Sequence, residues 1–173
     1  MKTKLIITDI DGVWTDGGMY YFDSGLEGKK FSVTDGVGVA LAKLANIPII
    51  VISGENIEAV RNRLEKLKIT ESYLGVQDKM SLVKELLNAK SLRFEDVAYI
   101  GDEVNDFPLL QSVGFSCCPN SAPDYTKEIV DYITPSNGGF GAFTDFVTKI
   151  LDNENIKDSV FEKLLNSYRS SQD

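Results

Sequence analysis

An apolar run over Leu5–Thr8 ends in Asp9-Ile10-Asp11-Gly12, so two carboxylates leave a strand on one face with a glycine directly behind them. Two acids this close repel unless a cation or a shared proton lies between them. Such a pair can hold a hard divalent cation and attack phosphorus; alone, it is equally a polar strand end entering a turn. Three further groups could complete such a site. Ser53-Gly54-Glu55 follows another apolar run, where backbone N–H groups and a hydroxyl can hold a phosphate oxygen, though Ser-Gly by itself reads as an N-cap or a turn. Lys79 follows Gly75-Val76-Gln77-Asp78 at a helix start and is either a phosphate partner or a solvated lysine. Gly101-Asp102-Glu103-Val104-Asn105-Asp106 ends a third run; an acidic helix N-terminus accounts for Glu103 and Asp106 and less well for Asp102. The chain has no histidine, so chemistry falls to carboxylates, hydroxyls and lysines.

Elements of strand and helix length must place these groups. Strand-like runs cover 5–8, 47–52, 97–100 and 113–117, with a weaker one at 129–134. Between them apolar residues recur at helical spacing: Val37, Leu41 and Leu44; Val60, Leu64 and Leu67; Leu82, Leu86 and Leu87. The alternation predicts an α/β fold, a parallel sheet with helices on both faces and a site beyond the carboxyl ends of the strands. One segment departs from it. Residues 18–22 and 29–33 flank a turn at 23–28 and read as a hairpin standing over the paired acids, a flap at about 18–33. Its Tyr20, Tyr21 and Phe22 need a surface to cover, either as a lid or in an oligomer contact. After the glycine-rich turn at 135–139, Phe143, Phe146, Val147 and Ile150 mark a closing helix, and Ile156, Val160, Phe161, Leu164 and Leu165 could form one more. The expected organisation is one domain over 1–151 with a helical extension over 152–173.

Composition narrows the function. At 173 residues, 43% apolar and 25% charged, the chain fits one globular domain. A net charge of −8 argues against nucleic acid as the main partner but not against a small phosphorylated substrate, because a cation among the acids inverts the local sign. No apolar stretch reaches membrane-span length and the N-terminus lacks a signal-peptide pattern, so no membrane partner and a cytoplasmic location are expected. Adjacent Cys117 and Cys118 suit reduced, buried thiols rather than a disulfide framework or a zinc site.

The aspartate pair, Ser53-Gly54, Lys79 and the acid cluster at 101–106 each occur once, in that order, at strand ends or helix starts. The set resembles the haloacid dehalogenase superfamily of phosphotransferases over nearly the whole chain, from Lys4 to about Leu151. The resemblance implies that Asp9 is a nucleophile forming an aspartyl-phosphate and that Asp11 is the general acid and base. It implies magnesium on the Asp9 carboxylate, the Asp11 carbonyl and Asp102, with Asp106 behind them on a metal-bound water and Asn105 beside it. Ser53, the Gly54 amide and Lys79 would neutralise the transferring phosphoryl group.

The run Asp9-Ile10-Asp11-Gly12-Val13-Trp14-Thr15-Asp16-Gly17-Gly18-Met19-Tyr20-Tyr21 looks like the short-cap phosphatases of 2-keto-3-deoxy sugar acids, in which the cap is only the hairpin. So do Phe31-Ser32-Val33-Thr34-Asp35-Gly36-Val37-Gly38 and Asn137-Gly138-Gly139-Phe140-Gly141-Ala142-Phe143. Family members are tetramers in which a neighbouring subunit closes each site, and a homotetramer is expected here. Octulosonate 8-phosphate enzymes usually carry arginine after the motif-two glycine, where this chain has Glu55. Glu55 with Arg63 and Lys66 looks like the 2-keto-3-deoxy-glycero-galacto-nononate 9-phosphate enzyme, in which the glutamate contacts the sugar and both cations reach toward the substrate carboxylate from an adjacent subunit. On spacing alone Arg63 and Lys66 could equally be a solvent face paired with Glu58 and Glu65. Three expectations follow: a nononate 9-phosphate phosphatase, an octulosonate 8-phosphate phosphatase, or a non-catalytic assembly module like those attached to some acylneuraminate cytidylyltransferases. A calcium site at Asp9-Ile10-Asp11-Gly12 has little support, since EF-hand spacing is absent.

Overall fold

The structure, a computed structural model, describes residues 2–169. Its centre is β1 (Leu5–Thr8), whose Ile6 turns to one face while Leu5 and Ile7 turn to the other, all fully buried. A strand buried on both faces reads as a continuous apolar run, as β1, β4 (Ile49–Ser53) and β6 (Val97–Ile100) do. With β5 (Ser72–Leu74), β7 (Phe115–Cys118) and β8 (Tyr132–Ile133) they form a six-stranded sheet of order β5-β4-β1-β6-β7-β8, every pairing parallel. The predicted fold class is therefore the observed one. The runs expected at 47–52 and 113–117 are strands with slightly shifted bounds, and that at 129–134 shrinks to the two residues of β8, whereas β5 was not expected: it is three residues long, at the sheet edge, and opens with an exposed serine.

Helices cover both faces. Val39, Leu41 and Ala42 of α1 (Asp35–Leu44), Val60 and Leu64 of α2 (Glu58–Lys66), and Phe143, Phe146 and Val147 of α6 (Ala142–Asn153) share one core with Ile6 and Val51. Val83 and Leu87 of α3 (Lys79–Lys90) and Leu109 and Leu110 of α4 (Phe107–Leu110) cover the other face against Leu5, Ile7 and Tyr99. A short α5 (Asp124–Lys127) precedes β8, and α7 (Lys157–Arg169) packs on α1 and α6. Val160 and Leu164 of α7 join the first core, each burial contributing about 1.5–3 kcal/mol. Residues 170–173 of the expected extension lie outside the described residues. Cys117 and Cys118 are free and buried, and burial pushes the Cys118 thiol up to about 11.

The hairpin is present, but its register differs from expectation. β2 (Tyr20–Tyr21) pairs antiparallel with β3 (Glu27–Gly28), Tyr20 opposite Gly28 and Tyr21 opposite Glu27, and the turn closes with Phe22 N–H donating to the Leu26 carbonyl at 3.0 Å. Residues 29–33, expected as the second arm, lie beyond the pairing because side-chain partners draw them to the body. Lys29 pairs with Asp11, Lys30 with Asp16, and Phe31 packs on the core with the Arg63 guanidinium 5.9 Å from its ring centroid.

Candidate active site

The site is built from strand ends. Beyond β1 the chain folds into a tight turn in which Trp14 N–H donates to the Ile10 carbonyl at 2.8 Å and Gly12 takes a φ of +71°. A Cβ on Gly12 would lie 1.8 Å from Asp102 Oδ2, so the loop passes flush against the acid of the neighbouring strand. From outside, the 135–141 turn braces it: a Cβ on Gly138 would meet the Gly12 carbonyl at 1.7 Å. Inside, Trp14 Nε1 donates to Thr8 Oγ1 at 2.9 Å and that hydroxyl to the Asp9 carbonyl at 2.7 Å. Asp9 N–H donates to the Ile100 carbonyl at 3.0 Å, tying the β1 exit to β6. The Asp9 backbone is thus held at both its N–H and its carbonyl, and the residue is buried.

At the floor, Lys79 Nζ lies 3.1 Å from Asp9 Oδ1 and 2.6 Å from Asp106 Oδ1. Lys79 opens α3, whose cap is Asp78, accepting from Ser81 N–H at 3.0 Å. Asp106 is fully buried and also accepts from the Tyr99 hydroxyl at 2.5 Å and from Asp102 N–H at 3.0 Å. It closes a short 3-10 turn, Val104–Asp106, and so anchors both the lysine and the loop bearing Asp102. The acidic-N-terminus alternative holds in part for Asp106: Oδ2 accepts from the Glu103 N–H that opens this turn, while Oδ1 faces inward to Lys79 and Tyr99. Tyr99, unremarked as a site residue in the sequence, is part of this network and looked like one more apolar residue of β6.

Asp9, Asp102 and Asp106 bring carboxylate oxygens within 4.8 Å of one another. Burial pushes Asp9 up to about 7, with the Asp106 charge adding and Lys79 opposing. Burial, then Asp9 and Asp106, pushes Asp102 up to about 8. Burial alone would pull Lys79 down, but Asp9 and Asp106 outweigh it and hold its pKa above the ordinary lysine value. Acids so crowded fit a hard divalent cation: the donors are oxygens, and glycine keeps the space beside Asp102 open.

Above this floor opens a cavity of about 390 Å³ lined by Asp9, Asp11, Gly54, Glu55, Asp102 and Asn105, and by Met19 and Lys29 from the hairpin side. Ser53 Oγ lies 3.4 Å from Asp11 Oδ2 and accepts from Glu55 N–H at 3.1 Å. Helix α2 starts only at Glu58, so Ser53 closes β4 and Gly54 bends away from it, neither at a helix N-terminus. A larger groove, about 790 Å³, opens at the amino ends of the strands among residues 2–4, 45–47 and 153–156, and no paired acids line it.

Arg63 and Lys66 are not among the residues lining this cavity. Arg63 is half-buried beside the hairpin exit and donates from Nη2 to the Ser32 carbonyl at 2.6 Å, so the solvent-face pairing with Glu58 and Glu65 does not hold for it; Glu58 faces Arg61. Lys66 is exposed. Lys29 was missed. Its side chain is wholly buried on Asp11, yet in the sequence it is one of two adjacent lysines in a hairpin, with no signal to single it out.

Residues 74–146 match the model of the haloacid dehalogenase-like hydrolase family. A 3-deoxy-D-manno-octulosonate 8-phosphate phosphatase from Haemophilus influenzae is 36% identical over 92% of this chain and 88% of its own length. The chain belongs to the haloacid dehalogenase-like hydrolases. Its reaction class is phosphoric monoester hydrolysis. Among solved structures, the Moraxella catarrhalis octulosonate 8-phosphate phosphatase in complex with a magnesium ion, a phosphate ion and a KDO molecule superposes with a TM-score of 0.89, at 30% identity over 94% of this chain and 93% of that one. The cobalt-bound Haemophilus influenzae phosphatase gives 0.84, at 35% identity over 90% and 91%. Among the described residues no helix is long and apolar enough to cross a membrane.

Proposed function

We propose that this hydrolase is a magnesium-dependent phosphatase of a 2-keto-3-deoxy sugar acid phosphate, of the nononate 9-phosphate type. The observation that carries the reaction is Asp9 at the cavity floor with one oxygen 3.1 Å from Lys79 and Asp11 on the same wall. Asp9 attacks phosphorus in line, the ester P–O bond breaks, and an aspartyl-phosphate forms. Asp11 gives a proton to the leaving sugar oxygen and then takes one from the water that cleaves the intermediate. Lys79, the Ser53 hydroxyl and the Gly54 amide neutralise the phosphoryl oxygens. The Asp9 and Asp102 carboxylates and the Asp11 carbonyl would hold magnesium, which when bound offsets the charge of Asp9 and of the phosphoryl group. Asp106 keeps Lys79 and the Asp102 loop in place.

Glu55 on the cavity wall supports the nine-carbon reading, since a carboxylate there can accept from sugar hydroxyls, of which the nine-carbon acid carries one more. The second reading is the octulosonate 8-phosphate, favoured by the substrate named for the relatives. The exposed Tyr20, Tyr21, Phe22 and Leu26 of the hairpin support a homotetramer, in which Lys66 and Arg63 would serve a neighbour's site rather than their own. Phosphate release with magnesium from nononate 9-phosphate, N-acetylneuraminate 9-phosphate and octulosonate 8-phosphate tests both readings. Preference for a nine-carbon acid is expected; preference for the octulosonate makes the second reading the right one, and no turnover of any overturns both.

A further inference from the structure

We infer that Lys29 is a positioning residue of the reaction, fixing the Asp11 carboxylate and fastening the hairpin over the reacting end of the substrate; this rests on the phosphatase reading above. Its side chain is wholly buried, although its neighbours Glu27 and Lys30 are exposed. The ammonium pairs with Asp11 Oδ1 while Ser53 Oγ lies 3.4 Å from Oδ2, so the carboxylate is held from opposite sides, one partner from the sheet and one from the hairpin. Among the described residues lining the cavity, Lys29 is the only cation beside five carboxylates, Asp9, Asp11, Glu55, Asp102 and Glu103.

A buried ammonium is tolerated only where a partner meets it, so Asp11 is what keeps Lys29 inside. The hairpin's strands are two residues long and its aromatics face solvent, and of its ties to the body, Lys30 to Asp16, the Ser32 carbonyl to Arg63 and Lys29 to Asp11, only the last reaches the cavity. Through that tie hairpin position and Asp11 orientation are coupled. A phosphate monoester brings acceptor oxygens to this otherwise acidic wall, and Lys29 can donate to them without leaving the cavity, which frees Asp11 to take up a proton from solvent and carry it to the leaving oxygen. A lysine that merely stapled the hairpin would leave turnover alone once the hairpin was closed.

The test compares wild type, Lys29→Met and Lys29→Arg on p-nitrophenyl phosphate and on the three sugar acid phosphates, with amide hydrogen exchange over residues 20–28. For Lys29→Met, kcat is expected to fall by about tenfold to a hundredfold with KM within about threefold, as for a misplaced reacting group. Lys29→Arg should recover to within about fivefold of wild type, and hairpin exchange in Lys29→Met should quicken by about tenfold or more. A Lys29→Met enzyme with kcat within about twofold of wild type overturns the inference, whatever the hairpin does. Wild type that hydrolyses p-nitrophenyl phosphate but none of the sugar acids removes the substrate assignment and leaves the Lys29 comparison intact.

Discussion

The acid floor and the hairpin rim are built by opposite rules. At the floor Asp9, Lys79 and Asp106 are almost wholly out of water, and the oxygens of Asp106 are met by Lys79, Tyr99 and two backbone N–H groups. At the rim the pairing is two residues long, Tyr21 and Leu26 are about 70% exposed, and three basic side chains, Lys29, Lys30 and Arg63, tie the segment to the body. The difference teaches where each task resides. On the proposed function, the floor would do what any phosphate ester requires and is fixed by the core, while the rim, Lys29 apart, would meet the part of the substrate that varies.

Substitutions separate the two. Asp9→Asn should lower kcat by at least about a thousandfold on every substrate, because an amide cannot attack phosphorus; burst and steady-state phosphate release read this. Lys79→Met should cost about 3–5 kcal/mol of stability by stranding Asp106, and lower kcat about a hundredfold, seen in melting curves and turnover together. If it melted like wild type, the floor would not be the tightly coupled unit described.

The acids also predict a pH dependence. Asp9 and Asp102, raised to about 7 and about 8, bind protons in the folded protein that the unfolded chain has released above about pH 4. Metal-free protein should therefore lose stability as pH rises from about 4 through 8, and a cation must displace those protons to bind. Magnesium should bind more tightly, and raise the melting temperature more, at pH 8 than at pH 6; equal shifts at both would show that these carboxylates are not its ligands.

A smaller effect lies where rim meets core. Asp35, 1% exposed at the start of α1, accepts from Phe143 N–H at 3.1 Å with Oδ1, while Oδ2 meets no hydrogen-bond donor within bonding distance among the described residues. Burial raises it to about 6, so stability present below about pH 4 is lost as pH rises through 6. Asp35→Asn should accordingly gain about 1–3 kcal/mol at pH 8 and nothing at pH 4, read by urea unfolding at the two pH values.

Legibility in the sequence followed the same divide. Asp9, Asp11, Ser53, Lys79 and Asp102 could be picked out because each ends an apolar strand run or starts a helix, and the chain alternates cleanly between the two. Five of the sheet's six strands followed from that alternation; the short edge strand β5 did not. The hairpin register could not be read: ladders of two residue pairs carry no alternation to set them, and what decides them is the pull of Asp11 and Asp16 on Lys29 and Lys30, residues distant in sequence from those acids. Arg63 was visible as a helical cation, but its bond to the Ser32 carbonyl was not, because backbone acceptors leave no trace in residue type. Tyr99 was hidden for the converse reason, a polar tip on an apolar body inside a buried strand.

The central claim, that the acid floor performs the reaction and the cavity wall at Glu55 selects the substrate, is tested most directly by kcat/KM for nononate 9-phosphate and octulosonate 8-phosphate in wild type, Asp9→Asn and Glu55→Arg. The account predicts that Asp9→Asn abolishes both, and that Glu55→Arg shifts their ratio toward the octulosonate by about tenfold or more while its faster reaction stays within a few-fold of wild type. Equal loss on both acids in Glu55→Arg, or substantial turnover in Asp9→Asn, would contradict it.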